Sequence, residues 1–297
     1  MLIYETAVPV SGGRHGKASI EAGQGFAFAR KVNSVPLMAL EFPEAAPEYA
    51  IVFAQSGDDV VPVAILGARQ NENLYLAEDN SWRGRYIPAF IRRYPFVFST
   101  SEDGKTFTLC VDESYKGLNY EGRGAALFNE DGKPSPHVDR VLKFLQEYRA
   151  QFLRTQQFGK KLKELDLLEP MQAQFTLPAG DKMALTGFMA VDRKRLKALK
   201  GEQLASLAST DELELIYLHL QSMRNFVAVK DRLVGQATKD GASPAATEGA
   251  AQEAGSKPNG AAKAAAGPEP VAAKPNGQGS KESDHSKGKR GAGSSAN

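Results

Sequence analysis

The sequence has few of the residues that build metal and disulfide sites. It contains one cysteine, Cys110, and four histidines among 297 residues. A single cysteine cannot form an internal disulfide, which excludes a disulfide-stapled secreted scaffold. No histidine stands at zinc-ligand spacing from another histidine or from Cys110, and no Cys-x-x-Cys pair occurs. The sequence therefore predicts no metal site, and Cys110, which lies in an apolar run, is expected to be a buried small residue.

Catalytic signature motifs and long apolar runs are also missing. There is neither a Gly-x-Ser-x-Gly elbow nor a phosphate-binding Gly-x-x-x-x-Gly-Lys-Ser/Thr loop, so we expect no cofactor. No window reaches the roughly 18 apolar residues of a membrane-spanning helix, and Met1–Val10 lacks the features of a secretory signal. We therefore expect a cytoplasmic protein without a membrane span, and we keep non-classical export to the cell surface as the alternative.

The charge of the chain is close to balanced. Lys and Arg number 37 and Asp and Glu 35, which gives a formal net charge of +2. Domains that work by holding a phosphate backbone usually carry a strong basic excess, so nucleic-acid binding is not expected. Hydrophobic residues make up 42% of the chain, which is enough to build a core.

The two ends of the chain differ in composition from its centre. Residues 235–297 contain no Phe, Tyr, Trp, Leu, Ile or Met, so they cannot bury enough apolar surface to offset the entropy of ordering the backbone. We predict that this segment is a disordered tail. Residues 1–25 are interrupted by glycines and are predicted to form an irregular arm, with one short strand at Leu2–Tyr4. The fold is therefore expected to occupy residues 26–234.

Hydrophobic patterns in this central region change from strand-like to helix-like. The strand-like runs, separated by turn residues, are Tyr49–Ala54, Val60–Leu66, Leu74–Leu76, Pro95–Phe98 and Phe107–Val111. From Pro136, apolar residues recur every three or four positions, which predicts helices at 136–152 and 156–168. A strand at Ala184–Val191 and helices at 193–200, 202–208 and 211–233 are predicted to follow. These patterns predict an α+β fold, with a mainly antiparallel sheet in the N-terminal half and a helical C-terminal half.

Candidate binding residues concentrate in the segment Gly67–Phe98. Arginine offers fixed, bidentate donors for carboxylate or phosphate groups, and aromatic side chains supply rigid contact area, a mixture typical of interfaces and anion pockets. Together with one histidine on a predicted helix, the candidate ligand- or partner-binding residues are Asn71, Asn73, Trp82, Tyr86, Arg92, Arg93 and His219. The alternative is structural: the aromatic residues belong to the core, the arginines pair with internal acids, and the histidine is bonded to backbone or water.

Arg92 and Arg93 are expected to differ in role. Adjacent residues point to opposite faces of a strand, and on a helix they diverge by about 100°. One guanidinium should therefore point inward, toward an acid such as Asp112 or Glu113. The other should reach solvent or a ligand.

Several short stretches together carry a family resemblance. They are Asn33–Leu37, Glu41–Phe42, Tyr49–Phe53, Asn71–Tyr75, Tyr86–Phe96, Leu185–Phe188, Val191–Asp192 and Leu218–Leu220. The sequence around them resembles the SapC family of bacterial proteins, which implies a SapC-like α+β domain at residues 26–234. The resemblance also implies association with bacterial surface layers, and it brings no catalytic residues.

Two functions of different class are compatible with these residues. The first is a non-catalytic binding or accessory protein of a bacterial cell, whose arginine and aromatic residues hold an unidentified protein, a peptide or an anionic ligand. The second is an enzyme with an unfamiliar site built from Arg92, Arg93, Asp112, Glu113 and His219. We favour the first, because no nucleophile–base pair and no metal-ligand set can be assembled from the sequence.

Deleting residues 236–297 should leave the fold nearly unchanged, because the last large apolar residue of the pattern is Leu233. We expect the melting temperature to shift by only about 1–2 °C, which corresponds to a few tenths of a kcal/mol for a domain of this size. Thermal unfolding of the full-length and truncated chains, followed by circular dichroism, measures this shift. A loss of many degrees would show that the tail packs against the fold.

Overall fold

The computed structural model describes residues 2–177, 180 and 182–240. Its strands are β1 (Ala7–Pro9), β2 (Ser19–Ile20), β3 (Ser34–Pro36), β4 (Ile51–Ser56), β5 (Asp59–Ile65), β6 (Phe96–Thr100), β7 (Phe107–Asp112), β8 (Leu118–Asn119), β9 (Ala125–Ala126), β10 (Leu168–Thr176) and β11 (Lys182–Val191). Its α-helices are α1 (Gly12–His15), α2 (Phe42–Ala45), α3 (Ala89–Arg92), α4 (Pro136–Glu164), α5 (Arg193–Lys197), α6 (Gly201–Ser209), α7 (Glu212–Ser222) and α8 (Phe226–Asp240). Short 3₁₀ helices cover Ala27–Ala29, Ala39–Glu41 and Met223–Asn225.

The described strands form antiparallel sheets. The largest has the strand order β10-β11-β4-β5-β3, and two smaller ones have the orders β1-β7-β6 and β8-β2-β9. Helices dominate the chain from Pro136 onward, so the predicted α+β fold is confirmed. The C-terminal half also supplies the hairpin β10–β11 to the largest sheet, and β10 occupies Leu168–Thr176, where no strand was predicted.

The strand predictions hold where apolar runs flank a turn. In the hairpin β4–β5, the pairing runs from Ile51 opposite Ala64 to Ser56 opposite Asp59, and Gly57 takes the positive φ of 59° that the turn requires. Cys110 lies on β7 and is buried, as expected. The predicted strand at Leu74–Leu76 is wrong: this segment is a buried loop, and Leu76 makes an isolated bridge to Trp82.

The two helices predicted between residues 136 and 168 are one helix, the 29-residue α4. Its first turn is capped by Ser135, whose hydroxyl accepts a hydrogen bond from the Val138 N–H at 3.4 Å. No proline or glycine occurs between residues 152 and 158, and the Thr155 hydroxyl donates to the Gln151 carbonyl at 2.7 Å. Nothing in the sequence therefore interrupts the helix where a break was predicted.

Helix α4 packs on the largest sheet at Gly159. A Cβ atom at this position would collide with the carbonyl oxygen of Val60 on β5. The neighbouring Phe158 contacts Phe42 and Phe53 edge-on, with ring centroids 6.3 and 6.0 Å apart. The absence of a side chain at residue 159 thus allows the close approach that seats the helix over the sheet.

The N-terminal residues form strands, and the predicted irregular arm is wrong for them. Strand β1 pairs with β7, so the first strand lies at Ala7–Pro9 rather than at Leu2–Tyr4. Ala18 and Ile20 are buried in a second apolar cluster with side chains of β6, β7 and α4. The glycines of this segment interrupt any strand pattern in the sequence. The strands form because β1 and β2 pair with strands about a hundred residues further along the chain.

Three outer strands of the described sheets contain a proline. Pro36 lies in β3, Pro170 in β10 and Pro9 in β1. The pairing of β10 with β11 also shifts register between Met171 and Ala173.

The C-terminal helices end the described part of the chain. The helix predicted at 211–233 is divided into α7 and α8 by the 3₁₀ turn Met223–Asn225. Leu233 is fully buried, and α8 continues to Asp240. The prediction of a disordered tail concerns residues 235–297; residues 235–240 belong to α8, and the others lie outside the described residues. None of the described helices is long and apolar enough to cross a membrane.

Substituting Gly159→Ala should destabilise the protein by about 1–3 kcal/mol, because the new methyl group must push α4 away from Val60. The matched control is Gly201→Ala at the start of α6, where no atom lies within 4 Å of the added Cβ. Urea unfolding of both variants measures the difference. Equal stability of the two variants would contradict the close packing at residue 159.

Candidate functional site

A cavity of about 590 Å³ lies between four parts of the chain. They are the loop at residues 22–28, the pair Ser81 and Trp82, the junction of α3 with β6, and the first turns of α4. Its volume falls within the roughly 300–1,000 Å³ that is usual for small-molecule sites. We call it the large cavity.

The charged residues that line the large cavity are all potentially cationic. They are Arg92, Arg93, Arg140 and His137, and no Asp or Glu is found among the described residues of the lining. Burial and the nearby Arg140 charge lower the pKa of His137, and its Nε2 atom is buried without a hydrogen-bond partner in the described part of the chain. The large cavity is therefore electropositive and favours an anion.

Aromatic rings form much of the remaining wall. Phe28 stacks on Tyr94 with ring centroids 3.9 Å apart, and Phe26 meets Trp82 edge-on at 5.6 Å. Burial raises the pKa of Tyr94 to about 12, so its hydroxyl stays protonated at neutral pH. The position of the Trp82 ring is fixed by a hydrogen bond, because its Nε1–H donates to the Tyr49 hydroxyl at 2.9 Å. These contacts give the large cavity rigid, flat apolar surfaces.

A buried carboxylate positions the short helix that carries the two arginines. Glu41, which is 5% exposed, accepts hydrogen bonds from the Ala89 N–H and the Tyr86 hydroxyl, both at 2.7 Å. A third hydrogen bond comes from the Met38 N–H at 2.8 Å. Burial raises the pKa of Glu41 despite these donors. The side chain thus fixes the start of α3 and the loop before it.

Arg92 is exposed and held at the edge of the large cavity. Its Nε–H donates to the Ile87 carbonyl at 2.9 Å, and an Nη2–H donates to the Tyr86 hydroxyl at 3.3 Å. The guanidinium lies 5.7 Å from the ring centroids of Tyr86 and Phe144. These contacts orient it and leave further N–H groups for a ligand.

Arg93 points into the protein, so the predicted divergence of the two arginines is confirmed. It is 6% exposed, and its guanidinium lies 4.2, 5.0 and 5.6 Å from the ring centroids of Phe90, Tyr148 and Tyr4. It has no acidic partner among the residues that the structure describes, so that prediction is wrong. Asp112 accepts instead from the backbone N–H groups of Glu5 and Thr6, at 2.8 and 2.9 Å.

The residues proposed for an enzyme do not assemble into one site. Asp112 is fully buried against the N-terminal segment, and Glu113 pairs with Arg14 and His15 on another part of the surface. Among the described residues, no group of three or more His, Cys, Asp or Glu side chains could hold a metal ion. Only Arg92 and Arg93 of the proposed enzyme site reach the large cavity.

His219 is buried between two strands and has no access to a ligand. Its Nδ1 atom lies 2.8 Å from the Ile51 carbonyl of β4, and its Nε2 atom lies 3.0 Å from the Val191 N–H of β11. Since Val191 can only donate, Nε2 is the acceptor and Nδ1 carries the proton. Burial lowers the pKa of His219 to about 4. His219 is therefore a structural residue bonded to the backbone, which was the alternative to a binding role.

The two candidate asparagines shape the loop before Trp82. Asn73 is buried, donates to the Ala29 carbonyl at 2.9 Å and accepts from the Tyr75 N–H at 2.9 Å. Asn71 is exposed in a turn with a positive φ of 58°. Neither residue lines the large cavity. The binding roles of Trp82, Tyr86, Arg92 and Arg93 stay predictions.

Sequence analysis missed the contribution of α4 to the large cavity. His137, Arg140, Val141 and Phe144 line it, and their spacing of three, four and seven residues places them on one helical face. His137 and Arg140 are basic residues in the first turns of a helical face that is otherwise apolar, and this pattern could have indicated a site. The aromatic residues Phe26, Phe28 and Tyr115 carried no comparable indication, because Phe26 and Phe28 lie far from Tyr115 and from α4 in the sequence.

The fold and this site describe an α+β protein with an electropositive, aromatic cavity. The chain belongs to the SapC family: the SapC family model matches residues 10–229, which confirms the resemblance found in the sequence. No curated protein and no solved structure matches the chain significantly.

Protonation of His219 should destabilise the fold in mild acid. The folded-state pKa of about 4 lies below the ordinary value of 6.5, so the stabilising neutral form is fully present above pH 6.5. As the pH falls from 6.5 to 4, protonation of His219 should decrease the free energy of unfolding by about 3 kcal/mol.

Urea unfolding between pH 4 and pH 7.5 measures this loss against a His219→Gln variant, which keeps hydrogen-bonding groups but does not titrate. The variant should be less stable at pH 7, and the difference from the natural chain should shrink as the pH falls. A difference that stays constant over this range would contradict the assignment.

Proposed function

We propose that this protein binds, without chemical conversion, an anionic ligand with an aromatic or apolar body in the large cavity. The observation that carries the proposal is the composition of the lining: three arginines and a histidine, several aromatic rings, and no carboxylate among the described residues. Arginine side chains hold carboxylates and similar anions by charged, bidentate hydrogen bonds, so a set of arginines around a cavity is suited to an anion supplied by a ligand.

The arrangement favours binding over catalysis. No lining residue of the large cavity is a carboxylate, a cysteine or a lysine, and Ser81 is the only hydroxyl nucleophile among the described lining residues other than tyrosines. The Ser81 hydroxyl donates to the Asp79 carboxylate at 2.7 Å, within its own loop. Hydrogen bonds from Ser81 lower the pKa of Asp79, which makes this carboxylate a weak base for activating a nucleophile. That contact belongs to a turn at the protein surface.

The ligand could be a small molecule or the acidic end of a peptide or protein. Each would offer a carboxylate or similar group to Arg92 and Arg140, and an apolar part to Trp82 and Phe144. An accessory role at a bacterial surface layer, which the family resemblance implies, is a narrower form of the same proposal.

The single tryptophan, Trp82, provides a direct test, because it lies in the wall of the large cavity. We expect 8-anilinonaphthalene-1-sulfonate, an aromatic sulfonate, to bind and to change the fluorescence of Trp82. Arg92→Gln and Arg140→Gln should each weaken binding about tenfold, the effect of losing one charged hydrogen bond worth about 1.4 kcal/mol.

Arg154→Gln is the matched control, since it removes the same charge from an exposed position of α4 outside the large cavity. N-phenyl-1-naphthylamine, which has the same ring system without the sulfonate, should bind more weakly than the anionic probe. Equal affinity of the Arg92, Arg140 and Arg154 variants for the sulfonate would refute the proposal.

A further inference from the structure

Arg93 also lines a second cavity, of about 200 Å³, between the hairpin β6–β7 and the middle of α4. We call it the small cavity. It shares Arg93 with the large cavity and otherwise has its own lining residues. The small cavity contains a second cation, Arg149, and the described lining residues include no Asp or Glu.

Two buried polar side chains beside the small cavity have unused hydrogen-bonding capacity. Arg93 and Tyr148 are 6% and 5% exposed, and both line the small cavity. Within the described residues, the Nε of Arg93 and the hydroxyl of Tyr148 have no hydrogen-bond partner. Buried polar atoms are normally bonded, so each such atom calls for a partner. Burial raises the pKa of Tyr148, which keeps the hydroxyl a neutral donor.

Within the described part of the chain, no carboxylate forms an ion pair with Arg93. Asp112 is occupied by backbone N–H groups and by Ser114, and Glu41 is occupied by Met38, Tyr86 and Ala89. The three rings around the guanidinium stabilise it by cation–π contact. Those contacts leave the hydrogen-bonding capacity of its Nε unused.

The rim of the small cavity carries the other cation in a fixed position. The guanidinium of Arg149 lies 3.7 Å from the ring centroid of Phe107. The rest of the lining is mainly apolar, with Phe98 and Phe152 among the side chains. A cavity of roughly 150 Å³ with an apolar lining holds a benzene molecule, so 200 Å³ accommodates a single aromatic ring with a carboxylate.

We propose that the small cavity is a second binding site, specific for a small aryl monocarboxylate. Its carboxylate would accept hydrogen bonds from Arg93, Tyr148 and Arg149. Its ring would lie against Phe98, Phe107 and Phe152. This site does not depend on a ligand in the large cavity.

Binding of 4-fluorobenzoate to the full-length protein, followed by fluorine NMR, tests the proposal. We expect a dissociation constant on the order of 1 mM or lower, as is reasonable for a ligand of this size. Tyr148→Phe and Arg149→Gln preserve the packing of the helix and should each weaken binding about fivefold to tenfold. 4-Fluorobenzamide, the uncharged analogue, should bind at least tenfold more weakly than the carboxylate.

Arg154→Gln, on the same helix and outside both cavities, should bind 4-fluorobenzoate like the natural chain. Arg92→Gln and Arg140→Gln should leave unchanged the 4-fluorobenzoate binding that depends on Tyr148 and Arg149, because Arg92 and Arg140 line the large cavity alone. Loss of binding in those two variants, with no change for Tyr148→Phe and Arg149→Gln, would place the anion in the large cavity and overturn the proposal. The proposal would also be overturned if 4-fluorobenzoate did not bind at a concentration 20-fold above ~1 mM, or if the amide bound equally well. Neither result would affect the sulfonate titration, which tests the large cavity.

Discussion

The junction between the two halves of the fold depends on the imidazole of His219. Phe53 of β4 pairs with Met189 of β11, and the next residues that would pair in this register are Ile51 and Val191. At that point the ring replaces the direct backbone contact, because it accepts from the Val191 N–H and donates to the Ile51 carbonyl. A side chain of α7 thus continues the sheet where the strands diverge, and the C-terminal helices are joined to the sheet by hydrogen bonds as well as by apolar packing.

The same helical face extends this attachment toward the large cavity. Ser222 accepts from the Ile51 N–H at 3.0 Å, and Asn225 donates to the Tyr49 carbonyl at 2.8 Å. The Tyr49 hydroxyl in turn accepts from the Trp82 indole and donates to the Tyr86 carbonyl. One set of hydrogen bonds therefore joins the C-terminal helices to the wall of the large cavity, so a cavity built from the N-terminal half is supported by residues beyond 200.

Short-range sequence patterns predicted the helices and strands that neighbouring residues determine. The hairpin β4–β5 follows from two β-rich apolar runs around a turn, and most of α4 follows from three- and four-residue spacing. The opposite directions of Arg92 and Arg93 follow from backbone geometry alone. The partners of these residues could not be predicted. Arg93 meets aromatic rings because backbone N–H groups at residues 5 and 6 occupy Asp112, and His219 is buried because two strands far apart in sequence need a bridge. The hydrogen bonds of Asp112 and His219 join chain segments that lie between 28 and 168 residues apart, and periodicity carries no record of them.

The prolines of the outer strands bear on how copies of this chain meet one another. An exposed strand edge offers a row of free N–H and C=O groups to which another chain can add. Pro9, Pro36 and Pro170 each remove a donor from an outer strand, and the register shift in β10 disturbs the regular spacing of the groups beside it. The edges at β1, β3 and β10 are thus poor templates for intermolecular β-pairing, which disfavours the addition of another chain along these three strands.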